Sequence, residues 1–206
     1  MASSIIHIAV ANEVNKKLNR DKQKLFIGTI SPDISKLIGE PKTRSHFLEG
    51  QESDAPNLEK FLNLYKENLH DDFVMGYYIH LYTDYLWFKY FLEDVDYSSQ
   101  ITTIEGNKIW CTKEDFIKYV YNDYTNINIK LIDEYNLDLK IFYNEIPEIK
   151  SIISEIPMDK LDIIVNKAGE IVINTKINKS YLFDIKGVKK FIETATELIL
   201  SDIEKL

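Results

Sequence analysis

Apolar positions in this chain fall mostly at helical spacing, with polar segments between the runs. Ile6, Ala9, Val10, Val14 and Leu18 predict a helix over Ile5 to Leu18, with His7 in its first turns. Gly28 to Gly39 reads as irregular, because Ser31-Pro32-Asp33 biases the backbone away from continuing a helix. The polar stretch from Gly39 to Asn57 carries the turn formers Gly39, Pro41 and Gly50, and it holds His46. Leu58 to Leu69 is predicted helical. Asp72 to Phe91 is apolar or aromatic on nearly every face, the pattern of a helix in the middle of a bundle.

Residues 94 to 112 read as a polar connector. Phe116, Val120, Tyr124, Ile127, Leu131 and Tyr135 then line up on a helix over Asp115 to Tyr135. Leu139 to Glu155 predicts one or two further helices, broken at Pro147. Leu161 to Thr175 is read as a helix, with a hairpin as the alternative. Leu161, Ile164, Val165, Ala168 and Val172 favour a helix, while Asn166-Lys167-Ala168-Gly169 between β-branched runs would suit a hairpin turn. Asp184 has the place of an N-cap for a last amphipathic helix reaching about Lys205. The expected architecture is all-α: a multi-helix bundle in a single domain over residues 1–206.

Composition narrows the function classes. The chain has 206 residues and a net charge of −8, without a basic stripe, which argues against a dedicated nucleic-acid-binding surface. No window approaches 18 apolar residues, so no membrane span is expected. The Met-Ala-Ser-Ser start lacks the basic and apolar regions of a secretory signal. Cys111 stands alone, which excludes an internal disulfide and suits a reducing compartment. A cytoplasmic protein is the expectation.

The histidines bear on chemistry. All four lie within the first 80 residues, as His7, His46, His70 and His80, interleaved with Asp33 and Asp84. Imidazole nitrogen and carboxylate oxygen are ligands for zinc and related ions. On a helix, His80 and Asp84 share one face at i and i+4, so they can grip one ion. Each piece alone has an ordinary reading: a lone His is more often structural, and Asp33 after a turn can cap the next helix. The joint arrangement favours a metal site.

His7, the G-x-x-x-P-D sequence of Gly28, Pro32 and Asp33, the loop histidine His46, and H-x-x-x-D at His80 and Asp84 resemble the zinc-dependent phospholipase C family. Single-strand nucleases share that fold. The resemblance covers roughly residues 5–90, making 1–135 the metal-binding half and 136–206 a helical extension. It implies a bundle with up to three metal ions that cleaves phosphodiesters, acting on a small-molecule or lipid-headgroup phosphoester. Asp33, His46, His80 and Asp84 match one metal site, and Asp84 would bridge to a second ion held with His7. The resemblance also implies an N-terminal amine on that second ion, which Ala2 would supply after loss of Met1. Asp33 would orient or deprotonate the attacking water.

The chain departs from the family downstream, where no His follows His80. Asp123 is the best candidate there, and a carboxylate-and-water site would suit magnesium, manganese or calcium better than zinc. Two other readings stand beside the hydrolase. One is a helical protein with a structural or sensing metal and no turnover. The other is an HD-type phosphohydrolase built on His70-Asp71, with His46 upstream and Asp123 or Asp133 downstream.

Overall fold

The computed structural model describes residues 1–50, 55–90, 100–173 and 180–206. Expectations falling on Phe91, on residues 94–99 and on 174–175 lie outside the described residues. The described chain is mostly helical, and no helix in it is long and apolar enough to cross a membrane.

Helix α1 covers Ser4–Leu18, and its N-cap Ser3 accepts a hydrogen bond from the Ile6 amide. Helix α2 covers Lys22–Ile30 under an Asp21 cap. The expected irregular stretch from Gly28 is instead a run of helical turns. Helix α2 continues to Ile30, a 3₁₀ turn takes Ser31–Asp33, and α3 follows at Ile34–Leu37. Pro32 sits at the start of the 3₁₀ turn, where its missing N–H costs nothing.

The short α4 covers Lys42–Ser45 and ends at His46. Phe47 then takes the left-handed conformation at φ 55°, which turns the chain and buries its ring against Phe61, Tyr65 and Tyr77. Helix α5 spans Leu58–Tyr65 and a 3₁₀ turn follows it.

Helix α6, Asp72–Tyr90, is the central element. Asp71 caps it, accepting from the amides of Phe73 and Val74. Every residue from Phe73 to Asp84 is buried, as are Leu86 and Trp87. Around α6 lie α1, α2, α5 and α9. Trp87 packs edge-on against Phe191 at 4.8 Å and Phe183 at 5.6 Å, tying α6 to the carboxyl-terminal helix.

Helices α2 and α6 touch backbone to backbone. A Cβ on Gly28 would fall 2.1 Å from the Phe73 carbonyl oxygen, and one on Gly76 would fall 2.0 Å from the Leu25 carbonyl oxygen. Gly28 thus acts within a helix, where close approach requires it, and not as a loop former.

The rest of the chain brings three corrections and one resolved alternative. The connector before α7 contains a hairpin, β1 (Gln100–Thr102) antiparallel to β2 (Lys108–Trp110), with Ile101 opposite Ile109. Gly106 at φ 81° makes its turn. Helix α7 begins at Lys113, two residues before the expected start, and runs to Glu134. Between Leu139 and Glu155 only a 3₁₀ stretch at Leu139–Tyr143 forms. Pro147 and Pro157 disfavour helix at Ile146 and Ile156, and the residues between are too few to nucleate one independently. The segment at 161–175 forms α8, Leu161–Ile173, not a hairpin; this helix lies against α2 and α3. Helix α9 covers Ile185–Ile203 and is capped by Asp184, whose carboxylate accepts from the Gly187 amide at 2.6 Å.

Replacing Gly76 by Ala forces α2 and α6 apart. Although Ala is the better helix former by about 1 kcal/mol, Gly76→Ala is expected to destabilise the protein by about 3 kcal/mol. The midpoint of urea unfolding measures this, and a variant as stable as the parent contradicts the close contact.

Candidate metal centre

Five of the predicted site residues converge. His7 comes from α1, Asp33 from the end of the 3₁₀ turn after α2, His46 from the end of α4, and His80 and Asp84 from one face of α6. Two donor groups form among the described residues, His7 with His80 and Asp84, and Asp33 with His46 and His80. The two carboxylate oxygens of Asp84 face different partners. Oδ1 lies 3.2 Å from His7 Nε2 and accepts a hydrogen bond from the Ala2 amide at 2.8 Å. Oδ2 lies 3.5 Å from His80 Nε2 and 3.8 Å from His46 Nε2. Asp33 Oδ1 closes the group at 3.7 Å from His46 Nε2.

Surrounding groups set the imidazole tautomers. His80 Nδ1 lies 2.7 Å from the Thr29 carbonyl oxygen, which can only accept, so Nδ1 carries the proton. The Ser45 hydroxyl lies 2.9 Å from His46 Nδ1 and 3.4 Å from the Lys42 carbonyl oxygen; when it donates to that carbonyl, it accepts from the ring. The two Nε2 atoms face each other at 3.2 Å, and with Nδ1 protonated on both rings each presents a lone pair to the other.

Two lone pairs opposed in a dry interior repel unless a cation lies between them. Nitrogens bound to one tetrahedral zinc at about 2.0–2.1 Å would be about 3.3–3.4 Å apart. The observed spacing fits that requirement. Other donors point the same way: both ring nitrogens of His7 and Asp84 Oδ2 are buried without a hydrogen-bond partner. Leaving such groups unsatisfied costs roughly 1–3 kcal/mol each.

The surroundings keep the donors ready for a metal. Burial, then the neighbouring His80 ring, lowers His46 to about 3 and holds His7 below its ordinary value. Burial by itself raises the two carboxyls. Neighbouring groups outweigh it, the Lys42 ammonium foremost for Asp33 and the adjacent His7 ring for Asp84, and both stay well below the usual carboxylate range.

Asp33 makes no capping bond to α3; its side chain reaches Lys42 Nζ at 3.0 Å. The Ala2 nitrogen sits beside Asp84, where the resemblance places an amine, and it is bonded there as an amide.

Asp123 does not join the centre. Its carboxylate accepts from the backbone amides of Tyr181, Leu182 and Phe183, at 2.9, 2.5 and 3.0 Å. It anchors the chain ahead of α9, so the magnesium, manganese or calcium site built on it is not assembled. The HD arrangement fails as well, because His70 is exposed, with Nδ1 on the Glu67 carbonyl, while Asp71 caps α6.

Three groups that support the centre lie outside the predicted set: Thr29, Ser45 and Lys42. Thr29 acts through an anonymous carbonyl, which no residue pattern announces. The spacing of Lys42 to His46 across one helical turn was a signal that could have been used.

These shifts determine how the metal-free protein responds to acid. His46 takes a proton near 6.5 when unfolded and near 3 when folded, so the unfolded chain gains protons first and stability falls as pH drops below 6.5. His46 alone accounts for a loss of roughly 2 kcal/mol by pH 5. Asp33 and Asp84 add to it once pH nears the ordinary carboxylate value of 3.8. Urea midpoints in the presence of a chelator measure this; stability that is level from pH 7 to 5 contradicts the buried neutral histidine.

Compared with known protein families, with curated proteins and with solved structures, the chain matches none.

Proposed function

We propose that this chain is a zinc-dependent phosphodiester hydrolase of the phospholipase C and nuclease type. One observation carries the reading: His46 Nε2 and His80 Nε2 face each other 3.2 Å apart beside two carboxylates, close to the spacing of two nitrogens on one tetrahedral zinc. Asp33, His46, His80 and Asp84 Oδ2 would hold one ion, and His7 with Asp84 Oδ1 a second, with the Ala2 nitrogen adjacent. Imidazole nitrogens among the donors favour zinc over magnesium or calcium. Bound ions would supply Lewis acidity, polarising a phosphoryl oxygen and lowering the pKa of water.

The protein's own groups do the rest. Thr29 and Ser45 hold two imidazoles in the productive tautomer. Asp33 is 22% exposed where His46 and Asp84 are sealed, so it faces an incoming substrate and can orient water or take its proton. The substrate class is a small-molecule or lipid-headgroup phosphoester. The single cysteine suits a cytoplasmic setting.

The burial of His7, His46, His80 and Asp84, none more than 1% exposed, favours a second reading, a structural or sensing metal without turnover. Metal content and hydrolysis separate the two. The parent is expected to hold two ions per chain, His7→Ala one, and Asp84→Ala none, because that carboxylate serves both. Hydrolysis of bis-p-nitrophenyl phosphate should fall by about 100-fold or more in Asp33→Asn. Metal without turnover leaves the structural reading, and a parent that binds no metal removes both.

A further inference from the structure

The segment from Asp33 to His46 contains three cations: Lys36, Lys42 and Arg44. Lys36 turns outward to the Tyr121 hydroxyl at 2.7 Å, and Arg44 binds the Ser154 carbonyl at 2.5 Å. Lys42 points to the metal centre. Its ammonium lies 3.0 Å from Asp33 Oδ1 and 3.2 Å from the Met1 sulfur. Its side chain is 11% exposed beside the 22% of Asp33, whereas the neighbouring donors His46, His80 and Asp84 are at 1% or less. The cluster therefore opens to solvent where Lys42 sits.

One donor of that ammonium is committed to a thioether, a weak acceptor. An oxyanion oxygen makes a charge-assisted hydrogen bond, far stronger than one to sulfur. That weak sulfur contact is the one a negatively charged group arriving at the mouth can replace, in a chain whose net charge is −8.

We infer that Lys42 is the anion-binding residue of this site, gripping a non-bridging phosphoryl oxygen of a phosphodiester. This deepens the hydrolase reading and rests on it for the identity of the anion. The ammonium exchanges the Met1 sulfur for the phosphoryl oxygen and stays beside Asp33, so substrate charge and attacking water are aligned by neighbouring side chains.

The test uses the full chain with Lys42→Met and Lys42→Arg, titrated calorimetrically with dimethyl phosphate and with inorganic phosphate, while metal content is measured separately. Lys42→Met is expected to weaken both anions by about tenfold or more, and Lys42→Arg to remain within about threefold of the parent. Metal content should be the same in all three. If Lys42→Met does not fold, Lys42→Gln replaces it. Unchanged affinity in the neutral variant overturns the inference. So does a parent that binds neither anion, or a loss confined to inorganic phosphate. Failure of the hydrolase reading looks different, because it appears as missing metal or missing turnover while Lys42-dependent anion binding persists.

Discussion

The close crossing of α2 and α6 is the constraint on which the metal centre depends. Gly28 and Gly76 let each helix rest on the other's carbonyls, at a separation that no side chain permits. That contact brings the Thr29 carbonyl within 2.7 Å of His80 Nδ1. It also fixes where α2 ends, and so where the turn bearing Asp33 begins. A wider spacing would leave His80 free to choose its tautomer and would carry Asp33 away from His46. Two glycines thus govern the geometry of ligands that they do not themselves supply.

A second layer of support holds His46. Tyr77 on α6 donates its hydroxyl to the Ser45 carbonyl at 2.5 Å, and Phe61 stacks on the Tyr77 ring at 5.8 Å. Phe47, turned back by its left-handed backbone, fills the space beside them. A loop residue is thereby held as firmly as one on a helix. The cost of gathering two carboxylates and three imidazoles in a dry interior is set against this packing, and Lys42 offsets part of the negative charge.

Much of this was legible in the residues, and the omissions have physical causes. Helical periodicity located α1, α5, α6, α7 and α9, because each carries apolar residues that a core must bury. The five donors were legible through their chemistry and order, independently of exact element boundaries. Gly28 was misread because a glycine before Ser-Pro-Asp suits a loop and a helix crossing equally well until its neighbour is known. Ile141 to Ile153 has helical spacing, but the prolines decide the backbone, and Gln23 satisfies carbonyls that a helix would have used. Asp123 carried the right functional group on the right helix. Only three-dimensional proximity reveals that its partners are amides.

That last carboxylate has a consequence for the order in which the molecule can come apart. By collecting three amides just ahead of α9, Asp123 fastens the final helix to α7, and α9 in turn lies along α1. His7 hangs from α1. Shortening the polypeptide from its carboxyl end would therefore strip the outer support from the helix bearing the most amino-terminal ligand, more than 170 residues away in the chain but a single layer away in space.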